Sequence, residues 1–406
     1  MTGPLQGTRV IDMSRVLAGP WAGQLLADYG ADVIKIEKPG SGDDTRHWGP
    51  PWLKDGDGLD TQDAAYFLAA NRNKRSVTCN LAHADGQQLI RDLVNKSDVV
   101  LENYRVGTLQ RYGLDAESLR RLNPALIYCS ISAYGQSGSR AGEAGYDAMI
   151  QASAGLMSIT GDPSESGGRP QKVGVAATDI MAGMYAVTAI LAALVARGKN
   201  GQGQHIDVPL FDSQVAWLAN QGMNYLVGGS VPRRYGTAHP SIVPYQSFET
   251  ADDELMLAVG NDAQFERCVE VMGLASLAQD PRFESNAGRV ENREQLIALM
   301  GRRLQDESAA FWLEQFRSHG VPAGPINDLA AVFSDSQVEE HQLVRFLDHP
   351  SGGQVPTIAN PVSFSETRVE YRSAPPLLGQ HTGEVLSKEL AYSAEKIAAL
   401  QAAGAI

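Results

Sequence analysis

The sequence predicts an α/β protein in which a large parallel-sheet domain is joined by a smaller α+β domain. Two observations carry this reading. Strand-like and helix-like segments alternate through roughly the first 130 residues, and the pattern changes character after about residue 235. Arg9–Met13 (RVIDM) is a short apolar run, and Gly19–Tyr29 sets Trp21, Leu25 and Leu26 at helical spacing. Asp32–Glu37 (DVIKIE) is a second strand and Gly86–Val94 an amphipathic helix. Asp98–Glu102 (DVVLE) and Ala125–Ser132 (ALIYCSIS) complete this series. Alternation of this kind implies βαβ units with right-handed crossovers, whose ligands gather at the carboxyl ends of the strands. Those ends read SRVLAGP, EKPGSGDDTR and ENYRVG, so the chemistry is to be sought there.

A long helix is predicted over about Ala176–Arg197, then a strand at His205–Val208 and a helix at Phe211–Leu226. Within the long helix, Ile180–Ala196 carries no charge over 17 residues. That is the short limit for a membrane span, and with Thr178 and Asp179 at its edge a buried helix is expected, with no membrane partner. The next region reads as strands Tyr245–Glu249 and Glu254–Val259 followed by helices near Ala263–Met272, Arg289–Leu304 and Ala309–His319. Past Gly324 the chain turns Pro- and Gly-rich (HPSGGQVP, SAPPLLGQH), as suits an extended segment laid on another part. The expected organisation is a large domain over 1–225, a small domain over 235–321, and a tail over 322–406 returning to the large domain.

With 43% hydrophobic and 20% charged residues, the composition is that of an ordinary globular protein. Lys+Arg is 34 against Asp+Glu 47, a net charge of −13, which argues against a nucleic-acid partner. Cys79, Cys129 and Cys268 lie far apart, so neither a disulfide framework nor a thiolate metal site is expected. A reducing compartment fits, and with no signal-peptide pattern at the N-terminus the expected location is the cytoplasm. No GxGxxG follows the first strand, and GxxxxGK[ST], HExxH and GxSxG are all absent. Nicotinamide, P-loop, zinc-hydrolase and serine-hydrolase chemistry each lose their main support.

What remains is a set of small-residue loops beside cations. Lys35, Lys38, Arg46, Arg72, Lys74 and Arg75 fall close together, and Arg105 and Arg111 follow the third strand. Singly, each reads as part of a solvated rim; as a group at strand ends they are suited to a polyphosphate. Asp179 stands apart, between VGVAAT and IMAGMYAV. One reading makes it the helix N-cap. The other makes it a nucleophile, a carboxylate sharpened by an apolar setting at a helix start. The two are compatible.

Taken together, TRVIDMSRVLAGP, ADVIKIEKPGSGDDTR, NRNKRS, DVVLENYRVGTLQRYGL, NPALIYCSISAYGQSG and KNGQGQHIDVPLFDSQ, with YGTAHPSIVPYQSF, VPAGPINDL and PPLLGQHT, resemble the class III CoA-transferases, also called the formyl-CoA transferase or carnitine CoA-transferase family. The likeness covers essentially the whole chain. GDDTRHWGPP, TAHPSIVPYQSF and PPLLGQHT look most like the branch of succinyl-CoA:dicarboxylate transferases, succinyl-CoA–glutarate transfer included. The resemblance implies a Rossmann-like large domain, a ring-shaped monomer and an interlocked homodimer. It implies an acyl-CoA and a small carboxylic acid as partners, CoA thioester as co-substrate, and no permanently bound cofactor or metal.

Residue by residue, the resemblance makes Asp179 the catalytic nucleophile, passing through a mixed anhydride and an aspartyl-CoA thioester. It matches the family's glycine-rich loop to Gly260 and Asn261, although this copy has one glycine. Val16, Leu17 and Ala18 match the pantetheine loop, Lys38 and Arg75 fall among the phosphate-side cations, and Cys79 lies in an adenine-side segment. Asn103, Tyr104, Arg105 and Arg111 match further CoA contacts. Tyr146 and Asp147 match a pair near the thioester, while the lysine expected before them is Ala144. A dicarboxylate such as glutarate or itaconate needs a cation for its distal carboxylate, and Arg46, Arg234 and His239 are the candidates. For Arg46 and Arg234 a phosphate contact or an ordinary ion pair fits equally well. A racemase acting on 2-methylacyl-CoA, the family's other chemistry, needs a histidine where this chain has Tyr146. A phenol titrating near 10 serves that role poorly, so transfer is favoured. A CoA-binding paralogue without turnover would have no use for Asp179.

Overall fold

The computed structural model describes residues 2–406. It divides into two compact units: Met1–Leu156 with Val173–Met223 and Ser336–Ile406, and Met157–Lys172 with Asn224–Asp335. The first unit is built on strands Arg9–Asp12 (β1), Asp32–Glu37 (β2), Lys74–Thr78 (β3), Val99–Glu102 (β4), Ile127–Ser132 (β5) and His205–Pro209 (β6). Around them lie helices Ala18–Asp28 (α1), Ala84–Val94 (α2), Ala116–Leu122 (α3), Asp147–Ser153 (α4), Ala177–Asn200 (α5) and Leu210–Ala216 (α6).

All six strands are parallel, in the order β3-β2-β1-β4-β5-β6. Successive residues of β1, β2, β4 and β5 enter opposite cores, which is why those strands read as unbroken apolar runs. Val10, Val33, Val99 and Ile127 pack with Leu25 and Leu26 of α1 and with Ala186 and Ile190 of α5. Ile11, Ile34, Val100 and Tyr128 pack with Leu89 and Leu93 of α2 and Leu119 of α3. The chain starts at β1, builds outward through β2 and β3, and then crosses to β4 on the other side. The carboxyl ends of β1 and β4 therefore diverge, opening the crevice where sheets of this order bind ligands.

The long helix α5 is buried along one stripe rather than all round. Ala182, Gly183, Ala186, Ile190 and Ala193 are inside, whereas Met184, Tyr185 and Val195 on the other side are exposed. Small residues let it approach α1 closely: a Cβ at Gly183 would lie 2.7 Å from the Ala18 carbonyl oxygen. By length and composition this helix is long and apolar enough to cross a membrane.

Following Ala219–Gly228 (α7), the second unit contains an antiparallel sheet of Tyr245–Glu249 (β7), Glu254–Ala258 (β8) and Ala323–Pro325 (β9). Its helices include Asp262–Val271 (α8), Arg293–Leu304 (α9) and Ala309–Ser318 (α10), around a core of Phe248, Leu257, Phe265, Trp312 and Phe316. The buried Trp312 indole N–H donates to the Leu304 carbonyl at 2.9 Å. This unit also takes in Met157–Lys172, which the sequence placed with the large domain. The link is local: Arg234 donates to the carbonyls of Asp162 and Gly168, and the Gly236 N–H to that of Gly161.

Two helices read as continuous are broken. Leu210–Ala216 and Ala219–Gly228 are separated at Ala219, whose φ is +44°, and Asn286–Glu291 and Arg293–Leu304 at Asn292. The tail is more structured than its Pro and Gly content implied. It forms a hairpin of Val344–His349 (β10) and Gly353–Ile358 (β11) and ends in the helix Ala394–Ala402 (α11), whose Leu400 joins the first unit's core.

Gly183→Val is expected to destabilise the protein by about 1–3 kcal/mol in urea unfolding, because the added atoms must separate α5 from α1. Gly198→Ala in the same helix meets nothing within 4 Å and is expected to be neutral or to stabilise by up to about 1 kcal/mol.

Candidate active site

A cavity of about 290 Å³ opens at the divergence of β1 and β4. One wall is the turn from β1 into α1, with Val16, Leu17 and Ala18. Another is the segment after β4, with Asn103, Tyr104 and Arg105. Tyr146 and Asp179 complete it. The structure thus brings eight of the sequence-derived site residues onto one cavity, although they span 163 positions of the chain.

Each wall is fixed by identifiable bonds. The Asn103 side chain joins the two loops, accepting from the Arg15 N–H at 2.8 Å and donating to the Arg15 carbonyl at 2.7 Å. The Glu102 carboxylate, pushed up to about 7 by burial, accepts from the Tyr104 N–H at 2.8 Å. Helix α1 has Leu17 at its N-cap and no side-chain cap, so its first N–H groups are not taken up by one.

Asp179 lies in the first turn of α5 and is 9% exposed. It is not the N-cap: that position is Ala176, which has no capping side chain. The carboxylate of Asp147 at the start of α4 substitutes for one, its Oδ1 accepting from the N–H of Thr178 at 2.8 Å and of Asp179 at 3.3 Å. The other Asp147 oxygen accepts from Gln151 at 2.7 Å. Among the described residues no hydrogen bond reaches the Asp179 carboxylate. Burial, and then the Asp147 charge, push Asp179 up to about 7. The result is a carboxylate short of stabilising partners facing a cavity, a combination characteristic of reactive groups.

Tyr66 was not among the sequence-derived candidates: burial raises its hydroxyl and the charges of Asp179, Asp147 and Asp43 add to the effect, but it does not line the cavity.

Most of the expected basic cluster is not a phosphate site. Lys35, Lys74, Arg46 and Arg72 are at most 3% exposed and hold buried carboxylates. Lys74 binds Asp12 at 2.9 Å, Lys35 binds Asp43 at 2.8 Å, and Arg72 binds Asp28 at 2.5 Å. Arg46, a candidate for the acceptor's distal carboxylate, is committed to Glu37 at 2.8 Å and Asp63 at 2.5 Å, stacked 3.7 Å above Phe67. Arg75 pairs with Asp32 and Glu389. Cys79 is buried, with its thiol pushed up to about 12, and its Sγ donates to the Gly86 carbonyl. Lys38 and Arg111 are exposed and lie outside the cavity.

The remaining candidates belong to the second unit. Gly260 and Asn261 start α8: Asn261 Oδ1 accepts from the Gln264 N–H at 2.9 Å, and Gln264 Oε1 accepts from the Gly260 N–H at 2.7 Å. This reciprocal pair resembles a capping box. Arg234 is occupied by Ser164 Oγ and the carbonyls of Asp162 and Gly168. His239 accepts from the Ser241 N–H, and burial followed by the Arg293 charge lowers its pKa, so at neutral pH it is an uncharged ring rather than a cation.

The family model for CoA-transferase family III matches residues 5–382. The chain belongs to this family. It is 47% identical over 385 residues to a succinate–glutarate CoA-transferase of Agrobacterium fabrum, covering 95% of both chains. It is 41% identical to a succinyl-CoA:glutarate CoA-transferase of Homo sapiens, covering 99% of this chain and 90% of that one. Among solved structures, a CAIB/BAIF family protein from Brucella suis superposes with a TM-score of 0.83 at 46% identity, covering 96% of this chain and all of that one. As a family III member, this enzyme is a CoA-transferase whose substrates are CoA thioesters.

Replacing Asp147 by Asn keeps an oxygen for the α5 N–H groups and removes the charge beside Asp179. A reaction step that uses Asp179 in its ionised form is expected to make kcat/KM of the wild type rise with pH through about 7. In Asp147→Asn that rise moves to lower pH, because one of the two causes of the elevation is gone; a pH profile of kcat/KM measures it.

Proposed function

We propose that this enzyme moves CoA from succinyl-CoA to a dicarboxylic acid, glutarate first and itaconate or a similar diacid next, with Asp179 as the covalent acceptor. The observation that carries the reading is the Asp179 carboxylate itself, facing the cavity at the β1/β4 divergence with no hydrogen-bond partner and a raised proton affinity. The names of the relatives support the substrate choice.

The Asp179 oxygen attacks the thioester carbon and expels CoA thiolate, leaving a succinyl–aspartyl anhydride. The thiolate attacks the aspartyl carbonyl, releases succinate and forms an aspartyl-CoA thioester. A glutarate carboxylate then attacks that thioester, giving a glutaryl–aspartyl anhydride and free thiolate. The thiolate takes the glutaryl carbonyl, and Asp179 returns as a carboxylate. Charge develops on a carbonyl oxygen at every step, and the uncapped N–H groups at the start of α1 are suited to receive it. No histidine lines the cavity, so the partner a racemase would need is not supplied there.

The assembly we infer is an interlocked homodimer in the cytoplasm. Its support is exposed apolar surface: Met184, Tyr185 and Val195 on α5, and Met223, Leu226 and Val227 on α7. In detergent-free buffer, light scattering is expected to give twice the 43.6 kDa chain mass, unchanged on dilution; a monomer mass overturns this.

After incubation with succinyl-CoA and hydroxylamine, mass spectrometry is expected to find a hydroxamate at Asp179. Asp179→Asn should form none and lose at least about 10³-fold in kcat while still binding CoA, as expected when the nucleophile itself is removed. A fully active Asp179→Asn enzyme overturns the mechanism. If no diacid in a panel accepts CoA, the substrate class is wrong and the family assignment stands.

A further inference from the structure

Three consecutive residues of the turn between β1 and α1 are held from three different elements. Lys35 of β2 donates to the Ser14 carbonyl at 3.0 Å. Arg15 is bracketed by Asn103, which follows β4. The Val16 N–H donates to Asp43 Oδ1 at 3.3 Å. Val16 needs such help: its φ is +70°, in the left-handed region. A β-branched side chain strains there, and such a conformation persists only where its surroundings over-determine it.

Asp43 is itself rigidly placed. It is 2% exposed, accepts from the Thr45 N–H at 3.0 Å and hydroxyl at 2.8 Å, and meets Lys35 Nζ at 2.8 Å. Against the upward push of burial, the Lys35 charge holds its carboxylate down to about 2, so it stays ionised across the working range. Asp43 does not line the cavity, whereas Val16 does.

We propose that Asp43, charge-paired with Lys35, is a positioning residue for CoA transfer: it holds Val16 in the left-handed conformation and thereby sets the start of α1, the wall that shares a cavity with Asp179. The proposal rests on the transferase reading of that cavity.

The test is a rescue. Glycine adopts positive φ without strain, so at position 16 it removes the need for Asp43 without replacing it. Turnover and the thermal midpoint are measured for Asp43→Ala, which leaves no side-chain acceptor for the Val16 N–H, with and without Val16→Gly. The same pair is repeated with Lys35→Met, which removes the buried ammonium left unpaired. Asp43→Ala is expected to lower kcat by about 10²-fold, the scale of an ångström-sized misplacement, and to lower the midpoint. Adding Val16→Gly recovers at least about tenfold in kcat while the midpoint stays low, because Lys35 still lacks its partner. The Lys35→Met background shows the same recovery if Asp43→Ala alone fails to fold. Wild-type kcat in Asp43→Ala, or no recovery in a background that folds, overturns the proposal. Failure of hydroxylamine trapping at Asp179 in the wild-type protein would instead indict the transferase reading.

Discussion

The site depends on one carboxylate held against another. Helix α5 must bury its first turn against the sheet to position Asp179, and that turn carries backbone N–H groups with no partner inside the helix. Asp147 supplies the acceptor from a different helix, bonding the N–H groups of Thr178 and Asp179. A serine or threonine at the N-cap would satisfy the same donors without a charge. Asp147 satisfies them and adds a fixed negative charge close to Asp179. Helix capping and part of the raised proton affinity of Asp179 therefore come from the same side chain.

A second constraint lies beneath the cavity. Asp12, Lys35, Asp43, Glu37, Arg46, Asp63 and Lys74 form a buried set of ion pairs behind the β1 and β2 carboxyl ends. Burying charges costs several kcal/mol per ion before any pairing, so such a set is a poor route to stability alone. Its bonds go instead to backbone around the site: Lys35 to Ser14 O and Arg46 to Pro376 O in loops, and Lys74 to Pro20 O in the first turn of α1. Burial lowers Lys74 to about 8 even with Asp12 in contact, a measure of how dry this layer is. Irregular backbone is held here with the rigidity of the sheet.

Much of the first unit was legible in the sequence because its strands alternate between two cores and leave unbroken apolar runs. β3 was not, since KRSVT opens with two cations and reads as a basic loop until Lys74 is seen buried on Asp12. The same confusion made Arg46 a substrate candidate: one sequence cannot show that Glu37 and Asp63 already occupy it. Asp179 was legible as a buried carboxylate at a helix start, whereas the group that caps that helix was not, because Asp147 lies 32 residues earlier and the pairing exists only once α4 and α5 have folded together.

The raised proton affinity of Asp179 matches what the proposed anhydride chemistry requires. A solvated carboxylate near 4 is a weak nucleophile toward a thioester, because water stabilises the charge that must be given up. Withholding both water and hydrogen-bond donors makes the same oxygens more basic and more reactive, but each step upward leaves less of the group ionised. A value of about 7 sits where the two effects balance near neutral pH. Two routes lead there, burial alone or burial with a neighbouring charge. Here burial supplies the larger push and the Asp147 charge adds to it, while Asp179 still faces the cavity, which is the physical case for a second carboxylate beside the proposed nucleophile.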